Sequence, residues 1–418
     1  MSTAVDPAGA TLEPPPPGPS VRQLAAAPHR LLFFAGATNI LLAMTWWGAW
    51  LVASRWPQVF MMDYPPVFPG WLHAFVMQHQ VLPSFFFGFL LTTFPRWTNQ
   101  PDIARRQFLP VGVPLLAGQL VTLAGALGSH TATVVGVGLT LVGFTAGLIA
   151  LAPILWREQG TTWHARSCFA ALAVGHAGLD AFGAFLLGAS PTWARVSIEL
   201  GGFGMALMVF FTVAHRMFPF FATNVVAGYQ PWRPLWLLAA VWLGVVLHLA
   251  VRLAHAFAWT WIPDAALLAL TASACWRWWP RGAKPGLLAV LFVGLLWLPI
   301  AMTLYTVDGI AYALNGASAL GRAPAHALFV GFFGSVTVAM VTRVTQGHAG
   351  RPLVMPGVAW FAFVAIQLVA VARIAAELTR DPFAWFAIAA IGWLVALAPW
   401  VVRLGRIYLT PRVDRKPG

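Results

Sequence analysis

Residues 70–100 read GWLHAFVMQHQVLPSFFFGFLLTTFPRWTNQ, an apolar run of membrane length with His73 and His79 in its first third. About 20 apolar residues in a helix cross the ~30 Å hydrocarbon layer of a bilayer. An ionisable side chain in that layer is costly, so an imidazole there has a partner or a task. Similar runs recur along the whole chain. AVILMFWYC make up 59% of the 418 residues and DEKR only 9%, against about 25% charged residues in soluble domains. The runs are continuous rather than alternating, which selects helices over a transmembrane β-barrel. The fold class is therefore all-α: a polytopic membrane bundle of about twelve helices, a multi-pass protein in contact with membrane lipids.

The expected spans lie near 31–53, 71–94, 108–127, 131–155, 167–189, 195–215, 235–254, 257–275, 286–306, 325–344, 357–376 and 384–405. Residues 1–28, with Pro14–Pro17, read as a disordered or interfacial arm without the apolar core of a signal peptide. Residues 29–408 form the membrane domain, and 409–418 form a basic tail. The net charge of +13 reports topology rather than nucleic-acid binding. With both termini cytoplasmic, only Arg55, Arg195, Arg252, Arg322, Arg373 and Arg380 fall in outer segments; the other 19 of the 25 Lys and Arg are inner. That bias satisfies the positive-inside rule, and the tail then lies against anionic headgroups.

The topology assigns depth to the histidines. His73 on span 2 and His326 on span 10 both sit near outer ends, and His79 lies about 9 Å deeper than His73 at 1.5 Å per residue. Two imidazoles on different helices are the minimum set that holds a haem iron from both faces; an aromatic bundle core with hydrogen-bonded histidines is the competing reading. His215 and His348, with His29, form a second, inner group, equally readable as interfacial. His176 and Asp180 share a face of span 5, and Glu199 is a further intramembrane acid. His130, His164, His248 and His255 read as solvated residues at span ends. Cys168 and Cys275 read as buried small apolar residues. The sequence holds no Gly-rich phosphate loop, HExxH or CxxCH, so any haem is a non-covalent haem b.

Three stretches together resemble the NnrS family of haem- and copper-containing bacterial membrane proteins. They are His73 to Thr98 with GFLLTTFPRWT, AHRMFPFF at 214–221, and HALFVGFFGSVTVAMVTRVTQGHAGRPL at 326–353. The resemblance implies an inner-membrane protein that binds haem and handles, or protects against, nitric oxide and nitrosative stress in denitrification. Nitric oxide is its implied small-molecule ligand, and an electron donor is implied if it turns over as an oxidoreductase. Many members begin the first motif W-H-A-H-E-M, where this chain has Leu72-His73-Ala74-Phe75-Val76-Met77. Phe75 and Val76 replace a histidine and an acid, which puts copper in question; His79, one turn deeper on a similar face, is the candidate substitute. The candidate metal ligands are therefore His73, His326, His215, His348 and His79.

Histidines near the outer ends of spans 2 and 10 are also distantly similar to the low-spin haem arrangement of haem–copper oxidase main subunits. Spans 6 and 7 carry only His215 and His248, so an oxidase-type dinuclear centre is not expected. That arrangement would point haem propionates at Arg373 and Arg380. Two other function classes stay open: a cofactor-free transporter or channel using Asn39, His176, Asp180, Glu199, Asp308 and Asn315, and a haem-bound sensor without turnover.

Overall fold

The computed structural model describes residues 18–282 and 284–414. Pro14–Pro17 of the arm, and Arg415 and Lys416 of the tail, lie outside the described residues. Among these, helices and short connections account for the structure and no strand occurs. Eleven helices are long and apolar enough to cross a membrane. They are α1 (Pro28–Arg55), α2 (Pro69–Trp97), α3 (Arg105–Gly125), α4 (His130–Trp156), α5 (Trp163–Leu186), α6 (Thr192–Thr223), α7 (Leu235–Leu253), α9 (Gly286–Asn315), α10 (Ala323–His348), α11 (Gly357–Leu378) and α12 (Pro382–Leu409).

The twelfth helix, α8, is Trp261–Trp278, an 18-residue helix weakened in apolarity by Asp264 and Arg277. It packs between α7 and α9. Its place in the count is settled at the chain ends. The Ser20 N–H donates to the Leu409 carbonyl at 2.8 Å. The buried Arg30 guanidinium donates to the Tyr408 and Thr410 carbonyls at 3.0 and 2.7 Å. The start of α1 and the end of α12 therefore share one face of the bundle, which requires an even number of crossings.

The helix limits follow local chemistry. Pro28, Pro69 and Pro382 stand in first turns, where a missing N–H costs nothing and the ring fixes φ. Asp381 caps α12 by accepting from the Ala384 N–H at 3.2 Å. Gly316 ends α9 in the left-handed region at φ 71°.

Each helix packs on its successor, and α12 returns to α1. Inside this ring, burial is uneven. The most apolar stretch of α2 is 89% buried and that of α10 78%, against 39% for α7 and α11. The outer helices turn Ile149, Leu243 and Leu368 outward, each more than 60% exposed, as lipid-facing side chains should be. Three inner helices widen from α to π geometry: α2 at Val76–Val81, α6 at Leu200–Leu207 and α10 at Ala327–Gly334. Such segments re-aim side chains and often mark functional positions. They fall in the same three helices that carry the NnrS-like stretches.

Candidate cofactor site at one end of the bundle

His73 and His326 lie at the same end of the bundle, one in the first turns of α2 and the other just before the π segment of α10. His326 Nδ1–H donates to the Arg322 carbonyl at 2.9 Å. A carbonyl only accepts, so Nδ1 carries the proton and Nε2 keeps its lone pair. A backbone acceptor fixing tautomer and ring orientation in this way is the usual support of a metal-binding imidazole. His73 is held by stacking: its ring lies 4.3 Å from Trp47 at 12°, and Trp47 stacks in turn on Trp50 at 5.2 Å. His73 and His326 are within electrostatic reach of each other, and Arg373 of α11 reaches both. Arg373 donates to Glu377 at 2.9 Å and lies 3.8 Å over the Phe386 ring. Arg380 is exposed in the turn before α12.

His79 is tied elsewhere. Its Nε2 faces the Ser197 carbonyl and hydroxyl, each at 3.2 Å, and its buried Nδ1 has no partner. The ring stacks on Phe75 at 5.3 Å, and Phe75 stacks on Phe182 at 4.0 Å. Phe75 thus fills the lost histidine position with aromatic core. His79 joins α2 to α6 instead of approaching His73.

The inner histidines form two pairs rather than one group. His29 and His348 are 4.4 Å apart between ring centroids. His215 pairs with His164 at 2.9 Å and also meets the Pro234 carbonyl through Nε2 at 3.1 Å. The carbonyl assigns the Nε2 proton of His215, so His215 Nδ1 accepts from His164 Nε2–H. His164 is therefore buried and engaged, where the sequence reading made it solvated. His248 departs from that reading in the same way: it is 1% exposed and bonded to Asp264. Short span-end positions are sheltered here by neighbouring helices, which the hydropathy of one segment does not report. His130 and His255 are exposed, as expected. His176 does bond Asp180 at 2.8 Å, and it accepts from Thr145 at 2.9 Å. Glu199 is paired with Arg252.

Sequence reasoning passed over the His248–Asp264 pair. Its signal was present: an acid in the first turn of the weakest span and a histidine 16 residues earlier, both ionisable at membrane depth. The π segments also had a trace in Gly201–Gly202 and in Gly331 with Gly334, glycines inside apolar runs.

These features define a helical membrane protein in which imidazoles on two inner helices stand at one end of the bundle, within electrostatic reach of each other. Residues 23–412 match the family model described as NnrS protein, so the chain belongs to the NnrS family. Comparison with curated proteins returned no match.

Proposed function

We propose that this NnrS-family protein holds a b-type haem between α2 and α10, with His73 and His326 as the residues that would ligate its iron, and that it handles nitric oxide at the bacterial inner membrane. The observation that carries the reading is the His326 ring, fixed by Arg322 with Nε2 left as a free donor. The donor chemistry fits haem: two imidazoles from two helices, within aromatic walls. Arg373, paired with Glu377 at 2.9 Å, would be the partner for a propionate, with Arg380 further out in the turn. When bound, haem would supply an iron able to pass an electron, or to take nitric oxide where one of the two imidazoles gives way.

The nitric oxide part rests on the family resemblance and on a second feature. An apolar cavity of about 60 Å³ lies between α1, α2, α6 and α10, walled by Phe33, Phe85, Phe86, Phe210 and Val341. Such a cavity can take a small apolar gas; Val341 stands 15 residues beyond His326, about 22 Å along α10, so the cavity offers the gas a place in the bundle and not at the haem. Copper fits less well. Among the described residues no three His, Cys, Asp or Glu side chains come together as a metal-holding group, and Phe75 occupies the second histidine's place.

A reduced-minus-oxidised absorption spectrum, with and without nitric oxide, tests the proposal on protein expressed with ample haem. Wild type should show a Soret band that nitric oxide shifts, and His73→Ala and His326→Ala should each lose it. A colourless wild type, or full haem content in either variant, sinks the assignment. Nitric oxide consumption with a supplied reductant then separates an oxidoreductase from a sensor.

A further inference from the structure

A polar cavity of about 120 Å³ opens at the His73 end, enclosed by α6 to α10 and the side of α2. Its rim is exposed at Gly321 and Arg322, and its floor is His248 and Asp264, each 1% exposed. At about 30 Å³ per molecule, it has room for roughly four waters. The cavity lies where the three π segments meet: Gln78 of α2, Gly202 of α6 and Phe329 of α10 all line it. A Cβ on Gly202 would touch both Gln78 and Phe329 at 3.4 Å, so that glycine keeps the junction open.

The floor is built around one ring. His248 Nδ1–H donates to Asp264 Oδ1 at 2.6 Å. The Phe203 ring covers one face at 3.7 Å and 12°, and Tyr305 stands edge-on at 6.0 Å. Every part of the imidazole is engaged except Nε2, which is buried and has no hydrogen-bond partner. An orphaned buried nitrogen is costly unless water or a proton serves it.

The charged and titratable groups facing the ring come from every helix around it. Asp264 is on α8 and Tyr305 on α9. Glu199 of α6 places Oε2 at 4.0 Å from Nε2. Its Oε1 accepts from Arg252 Nε and Nη2 of α7 at 2.9 and 2.6 Å. Asp308 and Arg322 line the outer cavity. Asp308 is already occupied by the Ser318 hydroxyl and the N–H groups of Ala319 and Leu320. Neutral His248 offers Nε2 as an acceptor to cavity water. Protonated His248 has a carboxylate on each side. Glu199 Oε2 at 4.0 Å is beyond direct hydrogen-bond reach, so cavity water would bridge it to an Nε2–H.

We propose that His248 is a proton-exchange residue: Nε2 takes up a proton relayed from the exposed rim through the cavity water and returns it the same way, while Asp264 accepts from Nδ1–H throughout. No electrons move in this step, and the water that donates is restored when the proton leaves. Asp264 is a positioning residue that fixes the tautomer; Glu199 balances the imidazolium charge. The inference stands independently of the haem reading.

The test is ring-nitrogen NMR of full-length protein in lipid nanodiscs, with labelled histidine, between about pH 5 and pH 8, the range in which imidazole ordinarily titrates. His248 is the signal missing from His248→Gln or, if that variant does not fold, the one displaced in Glu199→Gln. Its ring should hold the Nδ1–H tautomer when neutral and gain an Nε2 proton on acidification. Asp264→Ala, which removes the acceptor of Nδ1–H, should abolish the tautomer preference. His326→Ala should leave the transition in place, which keeps this result distinct from the fate of the haem. A ring that never gains the Nε2 proton, or an unchanged tautomer in Asp264→Ala, overturns the proposal.

Discussion

The α3–α4 hairpin and the junction of α2, α6 and α10 both depend on glycine, but they spend the space in different ways. In the hairpin, Gly118 and Gly125 face the backbone and hydroxyls of Thr140 and Thr133, while Gly136 faces Thr122. The two main chains close on each other, as small residues allow in membranes. Both helices stay regular, and Thr122 and Thr140 turn their hydroxyls back to the carbonyls of Gly118 and Gly136 at 2.8 and 2.9 Å. At the junction, a Cβ on Gly201 would come within 2.6 Å of Gln78 Oε1 and His79 Nε2. There glycine makes room for polar side chains, and the helices widen to π geometry. Backbone against backbone gives a closed seam at the bundle edge; backbone against side chain leaves unpaired polar atoms in the most buried part of the molecule. Gln80 connects the two regions, since its amide donates to Thr122 and Thr140 at 2.8 and 2.9 Å.

The contrast can be broken most sharply in the hairpin. Gly136→Leu would drive a side chain into the Thr122 backbone, whereas a Cβ on Gly138 meets nothing within 4 Å. Overpacking costs typically about 1–3 kcal/mol, and more where backbone must move. Gly136→Leu should therefore fail to give monodisperse protein, while Gly138→Leu should keep the wild-type thermal midpoint. Equal behaviour would show that the seam tolerates separation.

A milder effect is expected at the junction. Gly201→Ala meets the movable ends of Gln78 and His79, so about 1–2 kcal/mol of destabilisation should appear in thermal unfolding. If His79 is a tether rather than a ligand, haem absorption in that variant should equal wild type. Loss of the Soret band would return His79 to the ligand set.

The smallest effect should come from outside both regions. Arg55 donates to Asp381 at 2.7 Å and, with the Ala384 N–H, holds its carboxyl below the usual carboxylate range. A folded value below the unfolded ~3.9 means the contact stabilises above ~3.9 and is lost as pH falls through the folded value. Asp381→Asn should lower the thermal midpoint slightly near neutral pH and leave it unchanged well below the folded value, so that its decline on acidification is slightly shallower. An identical acid profile would remove the contact from the account.

Much of the outline was readable from residues. The expected spans and the observed helices agree to within a few residues over most of the chain: 131–155 against His130–Trp156, and 357–376 against Gly357–Leu378. The marginal span stayed marginal for the reason visible in sequence, Asp264 and Arg277 within an 18-residue helix. Of the candidate site, the common end of His73 and His326 followed from counting crossings, because depth is fixed by span order. The partners were not legible. His215 was grouped with His348 by shared depth, yet helix rotation and neighbour identity gave it His164 instead.

The sequence alone determined that the chain crosses the membrane many times as helices, that its basic residues favour one side, and that two family-like histidines share an end of the bundle. These are sums over about 20 local residues or consequences of order. Only the tertiary structure decided that Gly201 and Gly202 would open three π-widened helices onto a polar cavity. It also decided that His248 would be fixed by Asp264 with one nitrogen free, and that Phe75 would stack between His79 and Phe182. Those outcomes depend on which faces of distant helices meet, and hydropathy along one segment carries no record of that.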